Sequence, residues 1–190
     1  LKASPQLEGF RARGIEVLLL TDSVDSFWVT AAPDFEGKPF KSITQGAADL
    51  TQVPTTDGET PTVPETSAAV TDFIAFAKTT LGDAVSDVRA SDRLTESAVC
   101  LVAPEQSYDR QLEKLLQGSG RLDLIAKPIL EINPGHGLIS ALASGGNDEF
   151  RTDAVQLLLD QARVLDGDKP QDPRAFAERL SRLFERALKG

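Results

Sequence analysis

Apolar and polar positions along the 190-residue chain change period several times, and each change marks an element. Residues 14 to 29, GIEVLLLTDSVDSFWV, open with Ile15, Val17 and Leu19 on one face of an extended segment and Leu18 and Leu20 on the other. A strand apolar on both sides belongs inside a parallel sheet covered by helices. Such a sheet needs several strands and only one helical stretch precedes this one, so its neighbours are expected in a longer protein of which this chain is the tail. That helical stretch starts at Ser4-Pro5, an N-cap followed by proline at the first helical position. Gly14 can end it in the left-handed conformation.

After Asp22, SVDSFWV turns into a short helix carrying Phe27 and Trp28. DFEGKPFKSI is a loop punctuated by glycine and proline. Residues 44 to 65, TQGAADLTQVPTTDGETPTVPE, keep neither period and read as a linker or mobile loop. Structure resumes at Ser67 with a helix whose Val70, Phe73, Ile74, Ala77 and Leu81 share one face and which closes at Gly82.

Strands are expected around 84 to 90 and 97 to 103, then a helix from Ser107 to Gln117 stopped by Gly118. KPILEIN, residues 127 to 133, alternates as a half-buried strand: Leu130 and Ile132 face one way, Glu131 and Asn133 the other, with Ile129 among them. NPGHG is a turn into a short helix that Gly145-Gly146 breaks.

Two long helices finish the chain, about 148 to 165 and 173 to 188. Asp148 and Glu149 favour the positive end of the first, Gly167 stops it, and Asp172-Pro173 caps and opens the second. Phe150, Ala154, Leu157, Leu158, Gln161 and Leu165 form one seam, and Phe176, Leu180, Leu183, Phe184 and Ala187 the other. The short DGDKPQD connection makes the pair an antiparallel hairpin. The seams can be covered by the preceding strands, or by a second hairpin across a two-fold axis as a four-helix bundle burying roughly 2,000 Å² or more.

Composition narrows the functions. Apolar residues make up 41% of the chain, enough for a real core. The net charge is −9, so neither nucleic acid nor membrane is expected as a partner. Residues 151 to 190 carry 8 basic and 7 acidic side chains, nearly neutral and rich in leucine, as a self-associating surface can be. No run reaches the ~20 apolar residues of a membrane helix, and the first residues lack signal-peptide zones. A single cysteine, Cys100, makes no internal disulfide and fits a reducing cytosol.

Candidate chemistry is sparse. Asp166, Asp168 and Asp172 fail as a calcium loop, because Pro170, Gln171 and Ala177 stand where a ligand, the glycine and the bidentate Glu belong. His136 is the sole histidine, so a histidine metal cluster is impossible. A small α/β enzyme using a Cys100/His136 nucleophilic pair stays open as an alternative, against a buried thiol and a turn histidine. Tyr108, Leu112, Leu115 and Leu116 form a compact apolar face on a polar helix, serving either its own domain or the apolar stretches of another protein. Phe27 and Trp28 carry the same two readings, and a monomeric structural module is a further one.

SPQLEGFRARGIEVLLLTDSVDSFWV, DFEGKPFKSI, VRASDRLTESAVCLV, ILEINPGHGLI and LLLDQARVLDG, in this order, resemble the bacterial branch of the 90-kilodalton heat-shock chaperone family across nearly all of the chain. The spacer 44 to 65 is the least family-like part. The resemblance implies that residues 1 to 43 end an α/β middle domain of parallel strands. It implies that 66 to 190 are an α+β C-terminal dimerisation domain, the last two helices being its bundle. On that basis the homodimer interface is Phe150, Ala154, Leu157, Leu158, Leu165, Phe176, Leu180, Leu183, Phe184 and Ala187.

The resemblance further implies a cytoplasmic ATP-dependent chaperone. Its ATP and Mg site lies in an N-terminal domain, and its ATP-contacting arginine earlier in the middle domain, so no cofactor site and no ATP hydrolysis are expected in these residues. Unfolded or partly folded client proteins would contact Phe27, Trp28, Tyr108, Leu112, Leu115 and Leu116. Some relatives carry methionines on that helix, where this chain has tyrosine and leucines. The chain closes with ERALKG rather than an acidic docking peptide, so partners that read such a tail are not expected.

Overall fold

Three short strands organise the chain, and the middle one in space is the last in sequence. In the computed structural model, which describes residues 3–22, 24–48, 50, 53–55, 66–121 and 125–189, the strands are β3 (Asp87–Ala90), β4 (Val99–Val102) and β5 (Ile129–Ile132). β5 pairs in parallel with β3, Asp87 opposite Ile129, and antiparallel with β4, Val99 opposite Ile132. The two candidate strands and KPILEIN thus form one mixed sheet.

Helices cover one face of it. α3 (Ala68–Leu81) starts where the Ser67 side chain accepts the Val70 N–H and stops at Gly82, whose φ of 47° suits glycine. Its Val70, Phe73, Ala77 and Leu81 are buried, as their spacing predicts. α5 (Gly137–Ser144) and α6 (Asp148–Leu165) lie against α3, and α6 also packs on β4. Together with Val88, Val99, Leu101, Leu130 and Ile132 they enclose the main core. α7 (Pro173–Lys189) runs back along α6.

The opposite face of the sheet is buried too, which corrects the half-buried expectation for KPILEIN. Glu131 and Asn133 are as inaccessible as Leu130 and Ile132. The cover comes from residues 3–14 and 42–48 with Leu50. A 3-10 turn at Pro5–Leu7 leads into α1 (Glu8–Ala12). From it the Gln6 amide donates to the Leu101 carbonyl at 2.8 Å, and Gly9 lies so close that an added Cβ would meet the Arg93 carbonyl at 2.6 Å. Gly14 ends the segment with φ 63°, as expected.

Residues 44–48 and Leu50 are accordingly not a free linker. Gly46 N donates to Ala103 O at 2.9 Å and Ala103 N to Thr44 O at 2.8 Å, while Leu50 is buried. Arg13 donates to the carbonyls of Leu50 and Val53. Residues 49, 51, 52 and 56–65 of that candidate linker lie outside the described residues.

Residues 15–20 form no strand, and Leu18 and Leu19 are exposed. Extended backbone becomes a strand only when a neighbour takes its hydrogen bonds, and no described segment does so here. The parallel-strand architecture expected for residues 1–43 is therefore not seen among the described residues. The strands there are β1 (Asp34–Phe35) and β2 (Lys38–Pro39), an antiparallel hairpin inside DFEGKPFKSI, turned by Glu36 and Gly37 at φ 51° and 75°. Two successive positive φ values match the right-handed twist of such a ribbon. The short helix α2 (Asp25–Ala31) precedes it.

α4 spans Arg110–Gly118. It begins three residues later than the periodicity predicts because Asp109 is its cap, accepting the Gln111 N–H at 2.8 Å and the Leu112 N–H at 3.4 Å. Tyr108 therefore stands ahead of the helix rather than on it.

Candidate functional site

The last helix is where the fold leaves apolar surface open. Asp172 accepts the N–H groups of Arg174 and Ala175, both at 3.0 Å, so α7 begins at Pro173 as its sequence dictates. None of its residues is buried. Phe176, Leu180 and Leu183 are half-covered, and Ala187 is exposed. Phe184 is 59% and Leu188 87% exposed.

What holds α7 to α6 is largely polar. Arg182 forms a bidentate pair with Asp153, both bonds 2.8 Å, and Arg186 lies 5.1 Å over the Phe150 ring. Arg179 reaches Asp160 at 3.7 Å. The Arg182 bond holds the Asp153 carboxyl below the ordinary range, against the opposing effect of burial. Between the helices Phe150, Leu157 and Leu183 line a shallow groove.

The expected α6 seam needs correction. Ala154 and Leu158 are buried in the main core, with Val155, Leu159 and Ala162 beside them. Of the seam's apolar residues, half-covered Phe150 and Leu157 and exposed Leu165 remain toward α7 or solvent. The run Leu157-Leu158-Leu159 makes the helix apolar around much of its girth, and the sheet takes the face one residue away from the expected one.

A second open surface joins two candidate segments distant in sequence. α2 lies beside α4. Phe27 and Trp28 are 41% and 46% exposed, Phe35 and Tyr108 also face solvent, and Trp28 stacks obliquely on Phe40 with ring centres 5.6 Å apart. The expected continuous face on α4 is not formed: Leu112 is buried, and Leu115 and Leu116 are half-covered. The cationic side of α4 is engaged at the α6–α7 elbow. Arg110 donates to Asp166 at 2.7 and 2.6 Å, and Lys114 reaches Asp166 at 2.9 Å and Asp168 at 3.0 Å. Of the acids of the rejected calcium loop, Asp166 and Asp168 are thus bound to cations and Asp172 caps α7, and no metal-ligating cluster occurs among the described residues.

The Cys100/His136 pairing is also overturned. Cys100 is buried, and burial followed by the Glu131 carboxylate 3.8 Å away pushes its thiol well above the ordinary range, the reverse of an activated nucleophile. His136 spends its Nδ1 as the cap of α5, accepting the Leu138 N–H at 3.1 Å.

The sequence reading missed a buried ionic centre. Arg93 is fully buried, with Nε 2.8 Å from Glu131 Oε2 at an angle too poor for a hydrogen bond, while its Nη2 donates to Oε1 at 3.2 Å. Arg89 adds a bond of 2.7 Å to Oε1, and Ser91 one of 2.8 Å to Oε2. The spare guanidinium N–H groups go to the carbonyls of Ile43 and Gly46, which fastens the 42–48 segment. The sequence signal for it would have been a glutamate and an arginine, Glu131 and Arg89, at inward positions of two different strand candidates.

The fold defines the class: an α+β module in which a three-stranded sheet carries helices on one face and irregular segments on the other. The entire chain, residues 1–190, matches the Hsp90 protein family, and the chain belongs to that family. A chaperone protein HtpG from Rhizobium meliloti is 73% identical over 191 residues, covering 100% of this chain and 30% of the relative. The HtpG of Rhizobium etli is 66% identical with the same coverage, and that of Azorhizobium caulinodans is 66% identical over 97% of this chain and 30% of its own length. The chain thus spans about 30% of the length of these curated relatives. No helix among the described residues is long and apolar enough to cross a membrane.

Proposed function

We propose that this chain is the C-terminal dimerisation and client-contact region of an HtpG-type chaperone. The observation that carries the reading is the α7 stripe, which its own chain leaves uncovered: half-covered Phe176, Leu180 and Leu183 continue into exposed Phe184 and Leu188. A second copy of the hairpin placed across a two-fold axis would shelter it in a four-helix bundle. In that bundle α7 supplies most of the interface, and α6 supplies Phe150, Leu157 and Leu165. Joining two protomers here raises the effective concentration of the rest of each chain for the other.

On the same reading, residues 1–43 end a middle domain and 66–190 form the dimerisation domain. ATP and Mg bind outside this stretch, in a cytoplasmic protein with no nucleic-acid or membrane partner. Unfolded clients would contact the open Phe27, Trp28 and Tyr108 and the half-covered Leu115 and Leu116 of α4. The exposed Leu18 and Leu19 support the view that 15–20 pairs with strands elsewhere in a protein of the relatives' length. Leu180→Asp with Leu183→Asp tests the interface. Light scattering should show a monomer, and an unchanged dimer would remove these residues from it.

A further inference from the structure

We propose that α4 is a strut that couples the exposed aromatic patch around α2 to the elbow of the α6–α7 hairpin. The contacts form an unbroken chain. Trp28 stacks on Phe40, and two and four residues on, the hydroxyls of Ser42 and Thr44 both donate to Asp109 Oδ2. Asp109 is the α4 cap, and its other oxygen holds the first N–H groups of the helix. Gln45 adds a bond of 3.0 Å to the Glu105 carbonyl just before it.

Within the first turn and a half of α4 the chain passes to the elbow. Arg110, whose side chain is 8% exposed, grips Asp166 with two donors and reaches Asp168 at 3.2 Å. Lys114 adds the Asp166 carboxylate and, at 2.8 Å, its backbone carbonyl. The elbow is the pivot of α7, so a tilt of α4 must either break these bonds or carry Asp166 with it. Three charged donors converge on Asp166 Oδ2, and a largely desolvated ion pair is weakly screened, which favours the second outcome.

The N-terminal half of the helix is thus held from two sides, by Ser42 and Thr44 at its cap and by Asp166 and Asp168 along its first turn and a half, and its apolar residues stay out of the linkage. Given the dimer and client readings above, occupation of the aromatic patch would bias the pairing of hairpins through α4. The strut itself stands whether or not the chain dimerises.

The test is a cycle of substitutions on the full chain, read by amide hydrogen exchange at a dilution where it is monomeric. One arm is Ser42→Ala with Thr44→Ala, and the other is Asp166→Asn with Asp168→Asn. Each arm alone should speed exchange about fivefold or more both in Asp25–Ala31 and in residues 163–172, and the combined variant should go little further than either. Effects confined to the mutated end, or multiplying in the combination, would overturn the proposal. Asp166→Glu with Asp168→Glu, which keeps both carboxylates, should leave exchange in Asp25–Ala31 slow, and acceleration there would count equally against it.

Discussion

Arg93 and Glu131 meet inside the protein, one from the loop after β3 and one from the middle of the central strand, with Nε and Oε2 2.8 Å apart and both side chains closed to solvent. Arg89 and Ser91 complete the coordination of the carboxylate. The arrangement joins the polar face of the sheet to the segments that cover it, because Arg93 also binds the carbonyls of Ile43 and Gly46.

Removing the acid from this centre should cost more than removing one base. Glu131→Ala strands a guanidinium with no access to water, and breaking a buried pair in this way costs about 3–5 kcal/mol. Arg89 is partly exposed, so Arg89→Ala leaves Glu131 still paired with Arg93 and should cost about 1.5 kcal/mol. Urea unfolding of the two variants gives the order directly. An Arg89→Ala loss equal to the Glu131→Ala loss would show that Arg93 and Glu131 are not the centre of the arrangement.

Acid should loosen the first segment. Burial pushes the Glu8 carboxyl up, but the Ser97 hydroxyl and the N–H groups of Glu96, Ser97 and Thr95 together hold it below its ordinary 4.5. A carboxyl whose pKa is lower folded than unfolded contributes stability that is complete above the unfolded value. That contribution is lost as pH falls through the folded value. The native chain should therefore lose more stability than Glu8→Gln below about pH 4.5, and the difference between them should be constant above it. Parallel curves in acid would contradict the assignment.

Cys100 should behave as an inert core residue. With the thiol buried and its ionisation opposed by burial and by Glu131, an aromatic disulfide reagent should react no faster than the protein unfolds. Rapid labelling of the native chain near neutral pH would show an open path to the sulfur.

Local chemistry made most element boundaries legible in the sequence. Ser67 and Gly82 bracket α3, Asp172-Pro173 opens α7, and His136 falls in the turn before α5, because each of these signals acts within a few residues. What depends on distant partners was not legible. Alternation marks Glu131 and Asn133 as polar, but only residues 3–14 and 42–48 with Leu50 decide that the polar face is covered. The pattern in 15–20 has the composition of a strand without a neighbour among the described residues to pair with. On α6 the consecutive leucines leave the phase of the buried face undetermined until the sheet and α3 select Val155, Leu158, Leu159 and Ala162. The α7 stripe was legible because Phe176, Leu180, Leu183 and Ala187 recur at spacings of four, three and four, although Leu188, its most exposed large apolar residue, lay outside the expected seam.

The α7 stripe is covered only by pairing with a second copy on the proposed reading, and solution mass across a dilution series tests that directly. The account predicts twice the 20.4 kDa of the chain at micromolar concentrations, falling toward the single-chain mass on dilution. A mass of 20.4 kDa throughout the series would contradict it.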